Sequence, residues 1–148
     1  MILYLDSSSL VKRYVTEPGS PHVERALAVA HKAATATISR AEVVAAFAMG
    51  VRAGIATRED AESARQLFRT EWPYFVRLPA PEELIGRACD LAWLYGLRGY
   101  DSVQLATAVN WQESMDAPVV MATFDRSLWK AAARVGLEPY PPDLLEIR

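Results

Sequence analysis

The chain opens on Ile2-Leu3-Tyr4-Leu5, four apolar residues with no polar alternation, and passes at once into Asp6-Ser7-Ser8-Ser9. A strand with one face in water alternates apolar and polar residues. An unbroken apolar run suits a strand buried on both faces, as in the middle of a parallel sheet. Asp and Ser are good helix N-caps, so the chain is expected to leave that strand directly into a helix. The same order, strand then helix, recurs along the sequence, and it restricts the fold to an α/β layer built on a parallel sheet.

Leu10, Val11, Tyr14 and Val15 give the first helix an apolar stripe, and Glu17-Pro18-Gly19-Ser20-Pro21 breaks it. A helix over about 22–31 leads to a second strand over 35–38. Ser39-Arg40-Ala41-Glu42 reads as a capping box, with Val43, Val44, Phe47, Ala48 and Val51 behind it and Gly54 at the end. Thr57-Arg58-Glu59-Asp60 opens a helix reaching about Trp72. A third strand over 74–78 stops at Pro79-Ala80-Pro81, and a helix over 82–95 closes at Gly96. Another helix starts near Asp101, where Asp101-Ser102-Val103-Gln104 also reads as a capping box, and carries Ala106 and Val109. A fourth strand over 118–122, a helix from Asp125 to Gly136 and a short edge strand over 137–140 complete a sheet of four to five strands flanked by helices. No linker, repeat or low-complexity stretch divides the 148 residues, so a single domain over 1–148 is expected.

A formal charge of -2 leaves no polybasic footprint. The basic residues are 13 Arg and 3 Lys; Arg suits bidentate phosphate contact, though base composition also produces such a bias. Cys89 is the only cysteine, which excludes an intramolecular disulfide. It shares a predicted helix with Leu84, Ala88 and Ala92 and is expected as a small buried hydrophobe. The first residues lack a basic region and a signal-length apolar run. The longest apolar stretch, 43–51, is far short of the ~18 residues that suggest a membrane span. A soluble, cytoplasmic protein without a membrane partner is the expectation.

Four acids stand at the mouths of predicted helices: Asp6, Glu42, Asp101 and Asp125. In a parallel α/β sheet ligands bind beyond the carboxyl ends of the strands. Asp6 leaves strand one, Glu42 lies about a turn past strand two, and Asp125 follows strand four. Asp101 begins the helix that must return along the sheet to strand four. Taken singly, each acid is more often a cap. Together they are placed to converge on one rim.

Clustered carboxylates repel and their pKa values rise unless a cation is present. An all-oxygen set favours Mg²⁺ or Mn²⁺ over zinc, and His22 and His31 stand outside any zinc-ligand motif. A metal there can activate water and stabilise charge on a phosphodiester. Ser7, Ser8 and Thr123 flank the acids as candidate orienting hydroxyls or as ordinary loop hydroxyls. Arg13, Arg40, Arg98 and Arg126 are candidate phosphate contacts, or more simply solvated or ion-paired surface. The sequence lacks G-x-x-x-x-G-K-[ST], G-x-G-x-x-G and G-x-S-x-G, which removes the P-loop, dinucleotide and hydrolase-elbow readings. Residues alone therefore reach a metal-dependent phosphodiesterase.

Four ordered segments carry a resemblance: Leu3-Tyr4-Leu5-Asp6-Ser7-Ser8 with Leu10-Val11-Lys12, Ser39-Arg40-Ala41-Glu42, Leu97-Arg98-Gly99-Tyr100-Asp101-Ser102 and Ala122-Thr123-Phe124-Asp125. In these the chain resembles PIN-domain ribonucleases, specifically VapC-type toxins of toxin–antitoxin pairs, over essentially its whole length. The resemblance implies a three-layer PIN-like α/β fold and Mg²⁺- or Mn²⁺-dependent endonucleolytic cleavage of RNA. It assigns Asp6, Glu42, Asp101 and Asp125 as metal-binding acids and Thr123 as their polar helper. It also implies a homodimer and a protein antitoxin. Ser127 stands where some relatives carry a further acid, which leaves one or two metals open. Two other readings remain: a PIN-like nuclease of RNA processing or of structured DNA outside a toxin system, and a catalytically silent module that binds RNA or protein.

Overall fold

A computed structural model describes residues 1–147. Five parallel strands, β1 (Ile2–Leu5), β2 (Lys32–Ala36), β3 (Val76–Leu78), β4 (Val120–Ala122) and β5 (Glu138–Tyr140), form one sheet in the order β3-β2-β1-β4-β5. The apolar opening run is the central strand, as its lack of alternation requires: Leu3, Tyr4 and Leu5 are fully buried. Successive side chains point to opposite faces, so the three residues feed two cores. Leu3 and Leu5 pack with Leu10, Val23, Val43, Phe47 and Phe68 on one face, while Tyr4 packs with Leu105, Val109, Leu128 and Ala132 on the other.

The first core is covered by α1 (Ser7–Tyr14), α2 (Ser20–Val29), α3 (Ser39–Arg52) and α4 (Arg58–Glu71). The second is covered by α6 (Gly99–Met115) and α7 (Arg126–Arg134), with α5 (Glu82–Tyr95) laid on α6 through Leu84, Ala88 and Ala106. The three-layer parallel α/β architecture expected from the sequence is the one observed.

Several boundaries moved, for identifiable reasons. The second strand starts at Lys32 rather than at residue 35 because register with Ile2 defines it, and its first residue is exposed and polar. Ile38, assigned to that strand from its side chain, instead has helical backbone and caps α3. Third and fourth strands are each two residues shorter than expected, with residues 72–74 in a 3-10 turn before β3. Helix α2 begins at Ser20, because Pro21 suits a first turn whose N–H groups have no intrahelical partner. Gly19 caps it at φ 96°, and a Cβ there would run into the Phe124 ring. That close packing fixes the loop that carries Thr123 and Asp125.

Candidate active site

Asp6 leaves the carboxyl end of the central strand and turns back over α1. It is almost fully buried, and its carboxylate caps the helix by accepting from Ser9 N at 2.9 Å. Ser8 Oγ donates to Oδ1 at 2.7 Å and Thr123 Oγ1 donates to Oδ2 at 2.6 Å. Thr123 is itself fully buried, and its oxygen accepts from Asp125 N at 3.2 Å. The hydroxyl thus ties two of the acids together from beneath. Burial pushes the Asp6 carboxyl up to about 6, against the pull of these donors toward lower values. The cause is desolvation: among the described residues no cation pairs with this carboxylate.

Asp125 caps α7, accepting from Leu128 N at 2.9 Å. Asp101 is the third residue of α6 and half-buried. Between these two lies Arg98, whose Nε donates to Asp101 at 3.0 Å and whose terminal nitrogen donates to Asp125 at 2.9 Å. Burial raises the Asp101 carboxyl above its ordinary value, and Arg98 only partly offsets this. Glu42, one turn into α3, accepts from Gln104 Nε2 at 3.0 Å.

All four acids line one cleft of about 890 Å³, with Ser7, Ser8 and Arg98. Its opposite wall is apolar: Ile85, Ala88, Cys89 and Ala92 from one face of α5, with Val103 and Phe124. The convergence at the strand ends is therefore as the alternation of strands and helices requires. Two expected local roles are corrected. Ser39 is not the cap of α3 but its first residue, with its hydroxyl turned inward to Thr35 and Gln104, so Glu42 is not half of a capping box. Asp101 does not cap α6 either, since Arg98 holds that position without a side-chain bond. Both carboxylates are released from capping and turned to the cleft. Cys89 is exposed on the cleft side of α5, not buried, because Leu84 and Ala88 form the face that packs on α6.

Among the candidate arginines only Arg98 sits at the rim. Arg13 pairs with Glu71 at 3.0 Å and Arg40 lies over the Trp72 ring. His22 stands by Asp143 at 3.4 Å, away from the cleft. Gln104 was legible only as a capping partner, although its spacing of three from Asp101 places both on one helix face.

The donors suit a hard divalent cation: they are carboxylate oxygens only. Among the described residues no three acid, His or Cys side chains stand close enough to form a closed protein cage. A hard cation here would be held by one or two of these carboxylates, with water and substrate phosphate completing its shell. Arg98 supplies positive charge between Asp101 and Asp125, where such an ion would otherwise relieve their repulsion.

A family model for the PIN domain matches residues 3–134. The chain belongs to the PIN-domain family. It is 30% identical over 147 residues to Ribonuclease VapC45 of Mycobacterium tuberculosis (strain CDC 1551 / Oshkosh), covering 97% of each chain. Among solved structures it is similar to FitAcB from Neisseria gonorrhoeae, with a TM-score of 0.66 at 18% identity over 95% of this chain and 98% of that one. A toxin–antitoxin complex from Klebsiella pneumoniae matches with a TM-score of 0.57 at 17% identity, over 84% of this chain and 88% of that one. No helix among the described residues is long and apolar enough to cross a membrane.

Proposed function

We propose that this protein is a Mg²⁺- or Mn²⁺-dependent endoribonuclease acting as the toxin of a toxin–antitoxin pair. The observation that carries the reading is the arrival of Asp6, Glu42, Asp101 and Asp125, from four separate chain segments, in one cleft at the strand ends. The name of the VapC45 ribonuclease, over a full-length match, supports RNA as substrate. A bound divalent ion supplies an activated water and neutralises charge developing on the phosphodiester.

The chain's own groups divide the remaining work. Asp6 is anionic above about pH 6, and three donors fix its carboxylate so that it needs no reorientation. Glu42 is held at the cleft wall by Gln104. Asp101 and Asp125 share Arg98, which is largely exposed, 79% by side chain, and stands at the rim where it could meet a phosphate, while the two carboxylates would help to hold the ion. The apolar α5 wall keeps the centre partly dry, which strengthens each of these contacts. Incubation of the purified protein with single-stranded RNA and Mg²⁺ or Mn²⁺ is expected to give endonucleolytic products, and EDTA to abolish them. Cleavage that survives EDTA, after contaminating nucleases are excluded, overturns the reading.

The toxin role implies a protein antitoxin, and the acidic rim is complementary to a basic side chain, an arginine above all. Induced expression is expected to arrest growth, and co-expression of the adjacent small reading frame to relieve it. The reading also implies a homodimer, the commonest closed assembly. Exposed Met49, Ile55, Trp93 and Leu94 supply apolar surface for it. Light scattering is expected to give twice the 16.4 kDa chain mass; the single mass at micromolar concentration counts against it.

A further inference from the structure

We propose that Gln104 is a positioning residue for Glu42, held by Tyr4 in the one amide orientation that presents an N–H to the carboxylate. This rests on the reading of Glu42 as a cation ligand and adds to it the group that sets its geometry.

Gln104 is 1% exposed, in the middle of the second core, where an aliphatic side chain of its size would pack at no polar cost. Instead each of its polar atoms is used. Nε2 donates to Glu42 Oε1 at 3.0 Å and to Ser39 Oγ at 2.9 Å, and Oε1 accepts from the Tyr4 hydroxyl. Thr35 Oγ1 lies 2.8 Å from Ser39 Oγ and 2.7 Å from the Leu5 carbonyl oxygen. Thr35 has one proton, which the carbonyl takes. Ser39 must then donate to Thr35 and keep a lone pair for Gln104. The protons run in one direction, from Gln104 through Ser39 and Thr35 to the backbone of the central strand.

The amide orientation follows from the same count. Flipping Gln104 would set its oxygen against the Glu42 carboxylate, and neither atom could donate. Tyr4 is fully buried and its hydroxyl donates to Gln104 Oε1; after a flip that proton would face the amide nitrogen, which cannot accept it. The result is a carboxylate fixed at the cleft wall by a neutral donor. A cationic anchor, such as the Arg98 that bridges Asp101 and Asp125, would fix the group equally well but cancel its charge. Gln104 fixes Glu42 and leaves its full charge for a cation.

The decisive measurement is the Mn²⁺ dissociation constant by titration calorimetry, without RNA, alongside thermal melts. Gln104→Met should weaken Mn²⁺ binding about 10-fold or more, the usual consequence of losing a partner behind a ligand. Tyr4→Phe, which keeps the donor but frees the amide to rotate, should weaken it in the same direction by less. The double variant Gln104→Met with Glu42→Gln should bind no more weakly than Glu42→Gln alone, because Gln104 acts only through Glu42. Lower melting temperatures with unchanged Mn²⁺ affinity in Gln104→Met and Tyr4→Phe would make the network merely structural and overturn the proposal. Should Gln104→Met not fold, Tyr4→Phe carries the same decision. Wild-type affinity in Glu42→Gln would instead overturn the reading of Glu42 as a ligand, and the positioning role with it.

Discussion

Asp6→Asn and Asp101→Asn should each lower RNA cleavage by at least ~10²-fold, since on the proposed metal-site reading each removes one unit of charge and one oxygen ligand from the centre. The Asn substitutions separate chemistry from folding. Asn caps helices about as well as Asp, so the bond from Ser9 N that starts α1 survives in Asp6→Asn. The hydroxyls of Ser8 and Thr123 can turn to accept from the new amide. Asp101 carries no capping bond at all, so its replacement leaves α6 intact. Initial rates in saturating Mn²⁺, with melting curves on the same samples, check this. Full activity in either variant would remove that acid from the site.

Wild-type protein in EDTA should lose stability as pH rises from about 4 to about 6, and Mg²⁺ should restore it. The folded Asp6 carboxyl titrates at about 6 against an ordinary 3.8. Its pKa is raised on folding, so the folded state holds the proton longer. The stabilisation is complete below about pH 4 and is lost as pH passes the folded value. A difference of about two pKa units corresponds to about 3 kcal/mol on this buried group. Asp101, raised by the same burial, acts in the same direction. An ion that binds only the folded anionic cleft adds back stability by mass action. Urea midpoints at pH 4 and pH 7, for wild type and Asp6→Asn, measure the effect. An equal pH dependence in the two proteins would show that burial of Asp6 does not cause it.

The meeting of the four acids in one cleft was more legible in the sequence than the local role of each. Asp6 and Asp125 were legible twice over, because each follows a strand and caps a helix, and they do both. Glu42 and Asp101 were placed at the strand-end rim by topology, and both line the cleft there, but the capping role also read for each is absent. Their capping-box patterns are present, yet neither box forms: Ser39 is drawn into the buried Thr35–Gln104 network, and Asp101 lies inside the first turn of α6 and pairs with Arg98 three residues before it. Capping is a bond within one turn, worth about 1 kcal/mol, and a buried network such as that of Ser39 exceeds it. The displaced strand β2 is a similar case. Ile38 looked like strand by its side chain, but register with the central strand, invisible in a local window, decides where pairing ends. Arg98 was legible only as a candidate phosphate contact or surface residue and Gln104 only as a capping partner, since the bridge to Asp125 and the bonds to Tyr4, Ser39 and Glu42 exist only once the helices are assembled.

The position of β1 in the sheet has a consequence for the order of synthesis. Its partner on one side, β2, emerges within about thirty residues, but its partner on the other, β4, lies more than a hundred residues downstream. During elongation, at roughly 5–20 residues per second, the nascent chain therefore holds Asp6 and Glu42 for several seconds with neither Thr123 nor Asp125 made. The Asp6 carboxylate then lacks its Thr123 donor, and the open edge of the central strand awaits β4. A chain interrupted just before residue 122 contains α1 to α6 but lacks Thr123, Asp125 and α7. On the proposed reading of the site, the chain is expected to be inactive until it is almost wholly translated. Any partner that must restrain it has that interval in which to be present first.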